Sequence, residues 1–109
     1  MLPHADHVLV DEAKICDYLL SATHPVGRFK ARVFRSLGYT AESWTRLRDD
    51  LLHHGQTGSV QRIERSAYGI KVVISATLKG TNGSARPFRT VWVIPEHPSQ
   101  AKLVTAFPE

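Results

Sequence analysis

The stretch from Ile70 to Ile94, IKVVISATLKGTNGSARPFRTVWVI, decides the fold of this chain. Ile70 to Leu78 is rich in β-branched residues, Phe88 to Ile94 is a second apolar run, and Asn82-Gly83 between them is the strongest hairpin signal present. A two-residue type I′ turn at Asn82-Gly83 pairs Thr81 with Ser84. Counting outward then sets Ser75 against Thr90 and Val73 against Trp92. One face of this hairpin carries Ile70, Val72, Ile74, Leu78, Val91 and Val93 and is expected to cover the core. The other carries Lys71, Val73, Ser75, Thr77, Phe88, Thr90, Trp92 and Ile94. Hydroxyls beside a large aromatic suit a stacked base and a phosphate; they equally suit a solvent-facing sheet with cross-strand aromatics.

Outward from the hairpin, the period is two from Thr57 onward. Val60, Arg62 and Glu64 alternate with Gln61, Ile63 and Arg65, Tyr68-Gly69 marks a turn, and Leu103 to Phe107 reads as a last strand. Before Thr57 the period is helical. Asp11 is placed as the N-cap of a short helix with Lys14, Ile15, Tyr18 and Leu19, ending near Ser21. Gly27 to Leu37 gives a second helix with Gly38 as its αL stop. Thr40 caps a third, in which Trp44, Leu47, Leu51 and Leu52 form one stripe ending at Gly55, with His53 and His54 at its C-terminal end as dipole caps. These elements predict an α+β fold: about three N-terminal helices packed on a four-stranded, mainly antiparallel sheet formed by the C-terminal half. Residues 1–109 are expected to form a single domain.

The formal net charge of +4 suits an anionic partner, nucleic acid first, although ordinary surface charge accounts for it too. Cys16 is the only cysteine, so no internal disulfide is possible, and its helical position reads as a small core residue. No apolar run is long enough to span a membrane, and Met1 to Asp6 lacks the basic start and apolar stretch of a signal peptide. The expectation is a cytoplasmic protein; the C-terminal piece of a larger delivered protein would read the same way.

Lys30 is the residue out of place. On a helical wheel it falls in the arc of Val26, Val33, Phe34 and Leu37, while Arg28, Arg32 and Arg35 form a separate stripe. A lysine in an apolar arc either snorkels or serves a purpose. His24 lies six residues upstream, before Pro25 and the start of the helix at Gly27, whose free N–H groups favour an anion. A histidine, an ammonium and helical N–H groups together suit RNA cleavage. His24 would move the proton, and Lys30 and Arg28 would stabilise the charged phosphate. No metal or other cofactor is expected: His4-x-x-His7 lacks partners at ligand spacing. No phosphate-binding glycine loop or serine elbow is present either, which sets aside nucleoside triphosphatases and α/β-hydrolases.

Several segments resemble a known family. They are Leu2 to Asp6, Lys14 through Leu20, His24-Pro25-Val26-Gly27-Arg28-Phe29-Lys30-Ala31 on to Phe34, Leu37-Gly38-Tyr39, Tyr68-Gly69, Arg89 to Ile94 and Leu103 to Pro108. Together they resemble domain of unknown function 6883, a family of small bacterial proteins, over nearly the whole chain. Domains of this type also look like the C-terminal modules of polymorphic and contact-dependent toxins. Their layout is similar to the barnase, EndoU, colicin and RelE group of ribonucleases. The resemblance implies a toxin-type, metal-independent RNA endonuclease held in check by a small acidic antitoxin or immunity protein. Its matching positions are His24, Gly27, Lys30, Thr90, Trp92 and Thr105. Taken with the reading of the residues, the expected catalytic set is His24, Lys30, Arg28 and Thr90, and the expected substrate-binding set is Gly27, Arg32, Ser75, Trp92 and Thr105. The competing expectation is a non-catalytic nucleic-acid- or protein-binding module of a two-gene system, working through Arg28, Arg32 and Arg35.

Overall fold

The computed structural model of the chain describes residues 7–21, 23, 27–96 and 100–109, without the side chains of residues 7, 8 and 27–29. Strand β1 (His7–Leu9) leads into helix α1 (Glu12–Lys14), which runs on as a π-helical turn over Ile15–Leu19. Helix α2 (Gly27–Ser36) follows, then a 3₁₀ turn (Ala41–Ser43) opening helix α3 (Trp44–Thr57). The C-terminal half supplies β2 (Ser59–Ser66), β3 (Gly69–Lys79), β4 (Ala85–Ile94) and β5 (Gln100–Pro108). Those four strands pair antiparallel, as expected, and β1 adds a short parallel strand that the sequence pattern does not announce; the order is β1-β5-β4-β3-β2.

Helix ends follow local chemistry. Thr40 and Ser43 form a reciprocal capping box, which fixes the 3₁₀ turn from which α3 starts. Gly38 ends α2 with φ +94°, as its residue type predicted. The cap is completed from far away in sequence: Asn82 donates from its backbone N to Leu37 O (3.3 Å) and from Nδ2 to Ser36 O (2.9 Å). The β3–β4 turn therefore docks on the end of α2. A Cβ on Gly80 would lie 2.0 Å from Leu37 O, so only glycine allows this approach. Asp11 precedes α1 without a side-chain capping bond, and α3 runs past Gly55 to Thr57.

The turn itself corrects the expected register. Gly80 N–H bonds Ser84 O (2.7 Å), Gly83 N–H bonds Gly80 O (3.2 Å), and Gly83 has φ +85°. The connection is thus three residues, Thr81-Asn82-Gly83, with glycine in the αL position that such loops require. One extra residue turns every β4 side chain over. Ile74 faces Thr90 and Val72 faces Trp92, and not Ser75 with Thr90 or Val73 with Trp92. The core face therefore holds Val72, Ile74, Leu78, Phe88, Thr90, Trp92 and Ile94, all buried. Val91 and Val93, expected in the core, lie on the outer face with Lys71, Val73, Ser75 and Arg89.

Phe88, Trp92, Ile74 and Val72 are fully buried, and they meet Phe34, Leu37, Leu47, Leu51, Ile15 and Leu19 from the helices. Phe34 and Phe88 stack at 5.2 Å between centroids. Each such side chain removed from water contributes about 1.5–3 kcal/mol, so the larger rings of β4 gain more inside than two valines would.

Candidate functional site

Lys30 is half-buried on α2, and its ammonium meets two hydroxyls. Nζ donates to Tyr18 Oη (2.7 Å) and to Thr105 Oγ1 (2.7 Å), and those two oxygens are 3.2 Å apart. Three distant parts of the chain thus converge: the π-helical turn, α2 and β5. The π turn is closed by Leu20 N–H to Ile15 O at 2.8 Å, and it buries Ile15 and Leu19 while holding Tyr18 beside Lys30. π-helical turns occur often at functional sites. On β5 the register shifts between Val91 and Trp92: Val91 faces Thr105 and Trp92 faces Leu103, so Val104 is an extra residue. A bulge of this kind re-aims the next side chain, and here that side chain is Thr105. β1 covers β5 only at Gln100–Lys102, which leaves the edge near Thr105 to Tyr18 and Lys30.

Among the described residues no carboxylate forms an ion pair with Lys30. The ammonium has three donors, and two of them go to these neutral oxygens. Burial raises the proton affinity of the Tyr18 phenol. Hydrogen bonds from Lys30 and Thr105 and the charges of Lys30 and Lys14 outweigh it, and the net shift is below the ordinary value of 10.0. Lys14 Nζ sits 5.2 Å from the centre of the Tyr18 ring. The cluster therefore sets the Lys30 amine against a phenol eased toward giving up its proton.

Thr105 also lines a cleft of about 460 Å³ on the outer face of the sheet, together with Arg62, Lys71, Arg89, Val91 and Phe107. Its basic side chains could follow a phosphate backbone. Ser75 lies on the same face, where its hydroxyl donates to Glu109 Oε1. Arg89 Nε meets the same oxygen at 2.9 Å. The Ser75 bond and the Arg89 contact together hold the Glu109 carboxyl below its ordinary value.

The expected site residues divide accordingly. Lys30 and Thr105 meet. Ser75 faces the outer side with Glu109 rather than the cluster, and Arg32 is exposed on α2. His24 lies outside the described residues; Gly27 opens α2, and the Arg28 side chain is likewise not among those described. Thr90 and Trp92 were expected to touch substrate. Both are fully buried, because the hairpin register turns them inward. Their polar atoms belong to a core network. His54 Nε2 faces two carbonyl oxygens, Ala76 O (3.1 Å) and Phe88 O (3.0 Å), so it must carry the ring proton. Nδ1 then accepts from Thr90 Oγ1 (3.0 Å), which in turn accepts from Trp92 Nε1 (2.8 Å). His54 is thus a buried core residue and not a helix-dipole cap, and burial holds its pKa below 6.5 against the pull of the two carbonyls. Cys16, expected in the core, is partly exposed.

Sequence reasoning missed Tyr18, Glu109 and His54. Tyr18 carried no signal beyond a helical position beside Ile15 and Leu19. His54 could have been found from the i, i+4, i+7 spacing of Leu47, Leu51 and His54, which puts it on the apolar stripe. Among the described residues no group of histidine, cysteine, aspartate or glutamate has the arrangement of a metal site, and no helix is long and apolar enough to cross a membrane.

No curated protein matches the chain in sequence. A chain of the contact-dependent growth inhibition toxin–immunity protein complex from Klebsiella pneumoniae 342 shares the fold. The TM-score is 0.74 at 16% sequence identity, covering 92% of this chain and 98% of that one. The family model described as Domain of unknown function (DUF6883) matches residues 1–109. The chain belongs to that family.

Proposed function

We propose that this chain is the toxin of a two-gene toxin–immunity system and that it cleaves RNA at the Lys30–Tyr18–Thr105 cluster. The observation that carries the reading is the ammonium of Lys30, held 2.7 Å from both hydroxyls with no described carboxylate to neutralise it. The fold shared with a chain of a toxin–immunity complex supports the two-gene setting. Its place of action is the cytoplasm, where RNA is available, and its natural inhibitor is a small acidic protein that covers the basic site.

The chemistry is transesterification. The ribose 2′-hydroxyl loses its proton, its oxygen attacks phosphorus, the bond from phosphorus to the 5′-oxygen breaks, and that oxygen leaves with a proton. The products are a 2′,3′-cyclic phosphate and a 5′-hydroxyl. Lys30 offsets the charge that grows on the phosphorus oxygens, and electrostatic stabilisation of this kind lowers such barriers most. Tyr18 and His24 are the groups that move protons. Arg28 and the helix N-terminus at Gly27 hold the phosphate, and Thr105 fixes Lys30 by accepting from its ammonium. The RNA strand continues across Arg62, Lys71 and Arg89. A metal ion has no role in this scheme.

Purified protein is incubated with cellular RNA in EDTA, beside Lys30→Met. Cleavage by the wild type, with loss of about two to three orders of magnitude in Lys30→Met, is expected. RNA left intact, together with normal growth on induced expression, overturns the reading. Arg32 and Arg35 are exposed on α2, which favours a second reading as a binding module. In that case replacing Arg28, Arg32 and Arg35 abolishes binding while Lys30→Met changes little.

A further inference from the structure

All eight residues of β2, Ser59–Ser66, are exposed, and β2 is the terminal strand of the sheet. Its core-side residues Val60 and Ile63, which face Ile74 and Val72 on β3, remain 40% and 52% exposed. α3 lies over β3 and leaves this margin of the sheet uncovered. The outer backbone edge of such a strand presents N–H and C=O groups to any strand that fits it.

The residues along that edge complement themselves. If a second copy lies antiparallel on β2 about a twofold axis through Ile63, then Ile63 faces the partner's Ile63. Arg62 faces the partner's Glu64, and Glu64 faces the partner's Arg62. The faces agree: Arg62 and Glu64 lie opposite Val73 and Lys71 on the outer side, while Ile63 lies opposite Val72 on the core side. Within one chain Arg62 Nη1 and Glu64 Oε1 already pair at 3.1 Å. Two copies would form a square of four charges of alternating sign, with an apolar pair beneath it. The register shift between Val60 and Arg62 confines the fit to the distal part of the strand.

We infer that β2 is a homodimer edge, at which two copies of this chain join their five-stranded sheets into one continuous sheet centred on Ile63. Such a dimer does not depend on the ribonuclease reading, since mass and not activity reveals it.

The full chain is examined by sedimentation velocity over a concentration series, with Arg62→Glu, Glu64→Arg and the double variant. These side chains are exposed, so the fold persists, which circular dichroism checks. The wild type is expected at twice its 12.2 kDa mass at high concentration. Each single variant puts like charges face to face twice over and should weaken dimerisation by roughly tenfold or more. The double variant restores opposite charges and should restore the dimer. A wild type monomeric at its solubility limit overturns the proposal. So does a dimer that survives both single changes, or a double variant that stays monomeric. If β2 amides gain protection from exchange only when a different protein is added to a monomeric chain, the edge belongs to that protein and the proposal also fails.

Discussion

Lys30 and His54 show two fates of a charged or chargeable residue on an apolar stripe. Lys30 stays half-buried because two hydroxyls receive its donors. His54 goes fully inside because every ring nitrogen finds a partner in its neutral form. Thr90→Val leaves His54 Nδ1 and Trp92 Nε1 without their shared partner and should destabilise the fold by about 2–4 kcal/mol in urea unfolding. The His54 pKa is lower in the fold than the ordinary 6.5, so the unfolded chain binds more protons as pH falls through that range. Its stabilising contribution should be complete above 6.5 and decline below it, and urea midpoints measured across that range check the sign. Tyr18→Phe keeps the packing of the ring but removes the acceptor of Lys30. Cleavage should fall by about 10²-fold or more with little change in melting temperature. Lys30→Met should raise the pH at which Tyr18 ionises, read by ultraviolet difference titration, because the hydrogen bond and charge that lower it are gone.

Among the elements, the three helices and four C-terminal strands were legible from period and turn residues alone. Gly38, Thr40 and the stripe of Leu47 and Leu51 each act as their residue types require. The face of β4 was not legible, because Val91 and Val93 alternate with Trp92 and Ile94 and both sets are apolar. Only the length of the turn decides between them, and Asn82-Gly83 reads equally as a two-residue loop or as the end of a three-residue one. That single residue moved Thr90 and Trp92 from the expected site into the core. The Lys30 half of the site was visible as a lysine on the wrong arc. Tyr18 and Thr105 were not visible as its partners, since a π turn and a β-bulge leave no periodic trace in sequence. Deleting Thr81 forces the two-residue turn and should turn β4 over, exposing Trp92. Loss of the cooperative thermal transition is the expected result. Gly80→Ala places a Cβ against Leu37 O and should lower the melting temperature more than Gly83→Ala, which meets no neighbour and adds only αL strain.

Across the molecule as a whole, helices cover one face of the sheet and leave the other to basic side chains around the cleft at Thr105. The charge of +4 then has a place to act. If RNA binds that face, as proposed, its affinity should fall steeply as salt rises, which a titration of affinity against ionic strength measures. Lys30 meets Thr105 of β5, which lines the cleft, so the proposed chemistry would lie beside the cleft and not in the core. The sharpest measurement follows the 3′ ends left on an RNA oligonucleotide in EDTA by the wild type and by Lys30→Met. Cleavage at the Lys30 cluster requires 2′,3′-cyclic phosphate ends from the wild type and a loss of about 10²–10³-fold in the variant, whose fold circular dichroism checks. Intact RNA, or equal cleavage by both proteins, would show that Lys30 does not carry this chemistry.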